Sequence, residues 1–205
     1  TRAIGCAGKP WQGFKGNLHA SIILQPDFDP GLDYEMLFVG ITSLGNAIAA
    51  HVSPLTALAY SWPNDINIAG NKVGSMWLDR GNFESARWLA ITCSVNVRKG
   101  PAGFTLPAIS ILEAEGSTDL TANTLLESWA RQFVRMINLW SDKGFDPIFS
   151  LWQTRSEVSG RQVKLQINDS WIEGVAKAVT SSGDIVVNLS DGGQSTISSR
   201  AYMNW

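Results

Sequence analysis

Apolar and polar positions alternate along the chain with several distinct periods. Over residues 34–52, Met36, Leu37, Ile41, Leu44 and Ile48 fall at the spacing of one helix face. Asp33 stands where an N-cap would be and Pro54 closes the segment. A second helical stripe, Leu125, Leu126, Trp129, Phe133, Ile137 and Trp140, predicts a helix over 123–143, with Thr121 as its cap and Gly144 as its stop. A shorter helix is expected over 145–157. Strand patterns occupy 17–24 and 86–97, the latter an almost unbroken apolar run of the kind found in buried strands. Residues 60–80 predict a strand, a turn at Ala69-Gly70-Asn71 and a second strand, flanked by Ile66, Ile68, Val73 and Met76. Pro63, which has no N–H to give a ladder, marks a strand start, an edge or a bulge. Residues 109–116 form a short segment. After Gly160 the texture changes to four or more short strands, among them 162–167, 171–179, 184–189 and 194–198. They are separated by Asn168-Asp169, Ser181-Ser182-Gly183 and Asp191-Gly192-Gly193. The boundary falls near 158–160, dividing the chain into 1–158 and a small all-β module, 159–205.

Composition narrows the function classes. Of 205 residues, 44% are hydrophobic and 17% charged, enough for a real core and against disorder. The net charge is −2 and no basic tract occurs, so a nucleic-acid partner has no electrostatic support. No apolar run approaches the roughly 18–20 residues of a membrane span, and no signal peptide is expected. Cys6 and Cys93 do not make a disulfide framework. A cytoplasmic location is therefore expected. His19 and His51 lack metal-ligand spacing, so no permanent metal is expected. The chain opens on Thr1 rather than methionine, which reads as a fragment or a trimmed start.

Candidate chemistry gathers in two places. Residues 1–16 hold Gly5, Gly8, Gly13 and Gly16 among Arg2, Lys9 and Lys15. Backbone amides of such a loop can approach phosphates, although an ordinary surface loop has the same composition. Within 60–80, Asn64 and Asp65 lie where the chain bends and Lys72 follows across the turn.

Taken in order, Gly5-Cys6-Ala7-Gly8-Lys9-Pro10-Trp11, Gly16-Asn17-Leu18, Trp62-Pro63-Asn64-Asp65, Lys72-Val73-Gly74, Ser94-Val95-Asn96-Val97 and the 109–116 segment resemble the biotin protein ligase / lipoate protein ligase family over nearly the whole chain. The resemblance implies an α+β fold: a class II synthetase-like ligase domain with a mixed or antiparallel sheet and helices, then a small SH3-like β-barrel. It also implies a first strand and helix ahead of Thr1. The implied reaction uses ATP and Mg²⁺ to activate biotin or a lipoate-like acid as an acyl-adenylate, then passes the acyl group to a lysine of a carrier domain. Family members often dimerise, so a homodimer is expected.

Carried over by motif, Lys72, Lys9 and Asp65 are the catalytic candidates, with Asp65 on the Mg²⁺ side. Gly5 and Gly8 belong to the nucleotide loop, Trp11 resembles the adenine-stacking tryptophan, and Asn17 and Asn96 match positions near the nucleotide. Ser61, Trp62, Asn64 and Gly74 match the ligand pocket. Three departures stand out. Ile4 and Cys6 replace loop arginines, Ser61 stands where biotin ligases have lysine, and Thr92-Cys93-Ser94 replaces a segment usually rich in glycine. Losing one positive donor of this kind costs about 10²–10³ in rate. Lys72 matches the second lysine used by lipoate-type ligases. A structural role is open for each residue: Lys72 and Lys9 as solvated charges, Asp65 as a turn residue, Trp62 as core packing. Two alternatives to the ligase therefore stand: a catalytically impaired protein of the same fold that binds a small acid, nucleotide or protein, and a lipoate/octanoate-type acyl transferase.

Overall fold

The computed structural model describes residues 3–4, 10–101, 107–167 and 170–203, with side chains from residue 12 onward. Two short strands, β1 (Ala3–Ile4) and β2 (Pro10–Trp11), pair with each other. The main sheet has five strands: β3 (Leu18–Leu24), β4 (Leu58–Ser61), β5 (Asp65–Ile68), β6 (Asn71–Phe83) and β7 (Ala86–Val95). Their order is β3-β7-β6-β5-β4, and every ladder is antiparallel. Two isolated parallel bridges, Tyr60 to Ser156 and Lys72 to Ala108, tie later segments to β4 and to the start of β6.

One face of this sheet is apolar because β-strand side chains alternate between faces. Met76, Leu78, Leu89, Ile91 and Cys93 are buried there under α1 (Glu35–Ala49). The helix lies close because Gly40 has no side chain: a Cβ there would meet the Met76 sulfur at 2.5 Å and Ile91 Cγ2 at 2.8 Å. α3 (Ala122–Lys143) and α4 (Phe145–Gln153) pack on the outer side of α1. Trp129 of α3 fills the interface and donates its Nε1–H to Ser43 Oγ at 3.0 Å. Thr121 caps α3 and Gly144 ends it with φ 76°, as its cap residues predict.

A second antiparallel sheet of order β11-β10-β9-β8 is built from β8 (Gln162–Ile167), β9 (Ser170–Val179), β10 (Ile185–Leu189) and β11 (Gln194–Ile197). Its β9–β10 turn reaches back to the first layer. Gly183, at φ 82°, sits so close to Phe38 that a Cβ would come within 2.8 Å of the ring, and its carbonyl accepts from Trp62 Nε1 at 2.8 Å.

Several expectations need correction. Asp33 does not cap α1; its N-cap is Tyr34, without a side-chain hydrogen bond. Asp33 is instead 1% exposed and bound by Arg87 at 2.5 Å and Arg80 at 3.7 Å. Long-range ion pairing took the carboxylate. α1 stops at Ala49 and α4 at Gln153, each short of its predicted end. The first strand of 60–80 is broken in two, because Trp62-Pro63-Asn64, with a cis Trp62–Pro63 bond, turns β4 into β5. The 109–116 segment is the helix α2 (Ile111–Glu115), held by a capping box between Ser110 and Glu113. A last short helix, α5 (Ser199–Tyr202), was not anticipated. No helix among the described residues is long and apolar enough to cross a membrane.

Candidate active site

Lys72 owes its position to a fault in the sheet. Lys72 and Ser75 are three residues apart, so plain alternation would put them on opposite faces. In the β5–β6 ladder Ile66 pairs with Gly74 but Asn67 pairs with Lys72, leaving Val73 as the extra residue of a bulge. The bulge sends Val73 into the core and brings Lys72 and Ser75 to the same carboxylate. Lys72 Nζ lies 2.5 Å from Asp65 Oδ2, and Ser75 Oγ donates to Asp65 Oδ1 at 2.7 Å. The Lys72 backbone is clamped as well: its N–H donates to Pro107 O at 3.0 Å and its carbonyl accepts from Ile109 N at 2.9 Å.

This pair faces a cavity of about 330 Å³ between the two sheets. The first sheet supplies Ser61, Trp62, Asp65, Asn67 and Lys72; the other wall comes from Glu157, Arg161, Gln162 and their neighbours. Charge is balanced on both walls, since Arg161 is ion-paired with Glu157. Asn67 Nδ2 donates to Ser61 Oγ at 2.6 Å. Lys72 keeps 26% of its side chain exposed, so an anion entering the cavity can reach its ammonium. The arrangement suits a carboxylate or phosphate placed against Lys72 in competition with Asp65.

The cavity gathers Lys72, Asp65, Ser61 and Trp62 of the residues anticipated from the motifs. It does not gather Asn17, Asn64, Gly74 or Asn96. Asn64 is buried and donates to Met76 O at 2.7 Å and Ser75 Oγ at 3.2 Å, holding the β4–β5 turn on β6. Asn17 accepts from the N–H groups of Arg98 and Lys99 and donates to Lys99 O at 2.8 Å. Asn96, fully buried, pairs with Asn17 at 3.4 Å, so the two amides staple the loop after β7. A Cβ on Gly74 would lie 3.2 Å from Ser94 O, so β6 and β7 run close together there. Trp11 lies in β2, but its side chain, like Gly5, Gly8 and Lys9 altogether, falls outside the described residues. Asn67, Glu157 and Arg161 were not anticipated. The Gly160-Arg161 pair at the boundary was the one visible signal, and it carried no chemistry by itself.

The model of the biotin/lipoate A/B protein ligase family matches residues 7–154. The chain belongs to this family. A biotin--[acetyl-CoA-carboxylase] ligase of Paracoccus denitrificans is 25% identical over 188 residues, covering 89% of this chain and 78% of the relative. Among solved structures, the Aquifex aeolicus biotin protein ligase in complex with biotin and ATP superposes with a TM-score of 0.74 at 21% identity, covering 95% of this chain and 80% of that one. A biotin protein ligase-like protein of unknown function from Silicibacter also gives 0.74, at 20% identity, covering 93% and 81%. These structures share the α+β ligase fold with antiparallel sheets and helices.

Proposed function

We propose that the protein is an ATP-dependent ligase that activates a carboxylic acid, biotin or a relative, and transfers it to a carrier lysine. A carboxylate oxygen attacks the α-phosphorus of ATP, forming the acyl-adenylate and releasing pyrophosphate. The carrier amine then attacks the acyl carbon, AMP leaves, and the nitrogen gives up a proton. The first step brings two anions together, and its barrier falls when a fixed cation already stands there. Lys72, held by Asp65 and by two backbone bonds at the cavity, is the observation that carries this reading. Mg²⁺ fits as a companion of the nucleotide phosphates rather than as a resident ion. Both Asp65 oxygens have partners, and no cluster of three or more His, Cys, Asp or Glu suited to a metal occurs among the described residues. The complex of the Aquifex ligase with biotin and ATP supports the choice of substrates. The reading extends to a ligase-like domain over 1–158, a separate SH3-like barrel over 159–205, and a homodimer as in the family.

An ATP–pyrophosphate exchange assay across a panel of acids tests the proposal. Acid-dependent exchange supports it, and no exchange with any acid in folded protein removes it. Ser61, spent on Asn67 instead of supplying a cation, favours a second reading in which the fold binds acid or nucleotide without turnover. Calorimetric binding without exchange would select that one. Transfer from an acyl-carrier donor without ATP would select an acyl transferase.

A further inference from the structure

We infer that Arg161, carried by the second sheet, is a further anion-binding residue of the Lys72 cavity: it exchanges Glu157 for an oxyanion of the substrates, a nucleotide phosphate or the carboxylate of the acid. The inference rests on the acid-activating reading above and adds a residue to its site. Four charged side chains line the cavity, Lys72 and Asp65 on the first wall, Glu157 and Arg161 on the other. Each cation is paired with one of the anions. Acid and nucleotide therefore bring negative charge into a space whose own charges cancel. On the first wall Lys72 meets it alone, since Ser61 is uncharged and bonded to Asn67. One of the two pairs has to open.

The pairs differ in how firmly they are closed. Asp65 is held from two sides, by Lys72 and by Ser75 Oγ at 2.7 Å, and the Lys72 and Asp65 side chains are 26% and 20% exposed. The Arg161 and Glu157 side chains are 50% and 36% exposed. Water competes for both partners of such a pair, so it contributes little to stability and gives way first. The released guanidinium is a planar fork that matches two oxygens of a carboxylate or phosphate. Its backbone is fixed independently of Glu157. Gly160 turns the chain at φ 80° and donates to Ala176 O at 2.8 Å, and Ala176 N–H donates back to Arg161 O at 2.8 Å, which holds Arg161 on β9. Glu157 belongs to the other sheet, where its N–H donates to Tyr60 O at 3.1 Å, next to Ser61. The two partners can separate without undoing a strand, and Trp62 with Gly183 still joins the layers.

The test is calorimetry on the intact protein, titrating ATP with Mg²⁺, biotin and lipoate into wild type, Arg161→Gln and Glu157→Gln, with unfolding midpoints alongside. Both variants break the ion pair, but only one removes the cation. Arg161→Gln is expected to weaken a ligand about tenfold or more, and whether that ligand is ATP or an acid tells phosphate from carboxylate. Glu157→Gln is expected to bind the same ligand at least as tightly as wild type. Lys164→Gln removes an equal charge from an exposed pair with Glu173 outside the cavity and is expected to stay within about twofold. Folded Arg161→Gln that binds all three ligands within about twofold of wild type overturns the inference. Equal weakening in Glu157→Gln also overturns it, making the pair a strap between the sheets, and equal weakening in Lys164→Gln reduces it to a general field effect. Should Arg161→Gln not fold, Glu157→Gln decides: tighter binding supports the inference and weaker binding overturns it. Wild type that binds ligand but gives no ATP–pyrophosphate exchange removes the ligase reading while the same titrations still judge Arg161. Wild type that binds none of the three removes both.

Discussion

Trp62 sits in the family's signature segment, lines the cavity and spans both layers, and its replacement by phenylalanine separates those roles. The indole Nε1–H donates to Gly183 O at 2.8 Å in a buried setting, and the ring packs against Tyr202 at 5.0 Å between centroids. Phenylalanine keeps an aromatic ring but has no donor. The Gly183 carbonyl is then left buried without a partner, which costs about 1–3 kcal/mol. The smaller ring leaves a void that adds about 1 kcal/mol. A total near 2–4 kcal/mol corresponds to a fall in melting temperature of roughly 5–15 °C for a chain of this size. Urea unfolding with the slope held constant measures the free energy directly. An unchanged midpoint together with weakened nucleotide or acid binding would refute the reasoning, and would make Trp62 a ligand contact rather than the join between the layers.

Asp33→Ala leaves Arg87, among the described residues, with Phe28 O and the Phe28 ring as partners. About 3 kcal/mol of stability should be lost in thermal unfolding, and an unchanged melting temperature would contradict the ion-pair assignment. Desolvation lowers the His19 pKa below its ordinary 6.5, so the unfolded chain takes the proton first. Its contribution to stability is complete above about pH 6.5 and is lost as pH falls below that. His19→Gln should therefore flatten the unfolding free energy between about pH 5 and 7, and an identical slope in wild type and variant would rule this out. Burial pushes the Cys93 thiol up to about 12, so thiol reagents should label it only on unfolding; rapid labelling of the native protein at Cys93 would show that the strand opens.

The parts legible in the sequence were those fixed by local chemistry. Thr121 and Gly144 bound α3 as their residue types predict, and the apolar run before Val95 did make an inner strand. The family segments between Trp62 and Asn96 were legible too, because their order and spacing survive divergence. The failures share a cause, which is that partners distant in sequence override local preference. Asp33 looks like a cap until Arg87, 54 residues later, takes its carboxylate. The hydrogen bonds of Asn64 to Met76 O, of Asn17 to Lys99 O and of Asn96 to Ile109 O likewise join segments apart in sequence and have no local signature. The second wall of the cavity, around Arg161, is invisible before the two sheets meet. The bulge at Val73 is also silent in a one-dimensional pattern, yet it decides which face Lys72 reaches.

The central claim is that Lys72 supplies the fixed positive charge at which an acid and a nucleotide meet. Acid-dependent ATP–pyrophosphate exchange in Lys72→Ala, set beside wild type and a check of its unfolding midpoint, tests it most directly. Exchange should fall about 10²–10³-fold while the fold is retained. Exchange within about twofold of wild type in a folded variant would contradict the claim.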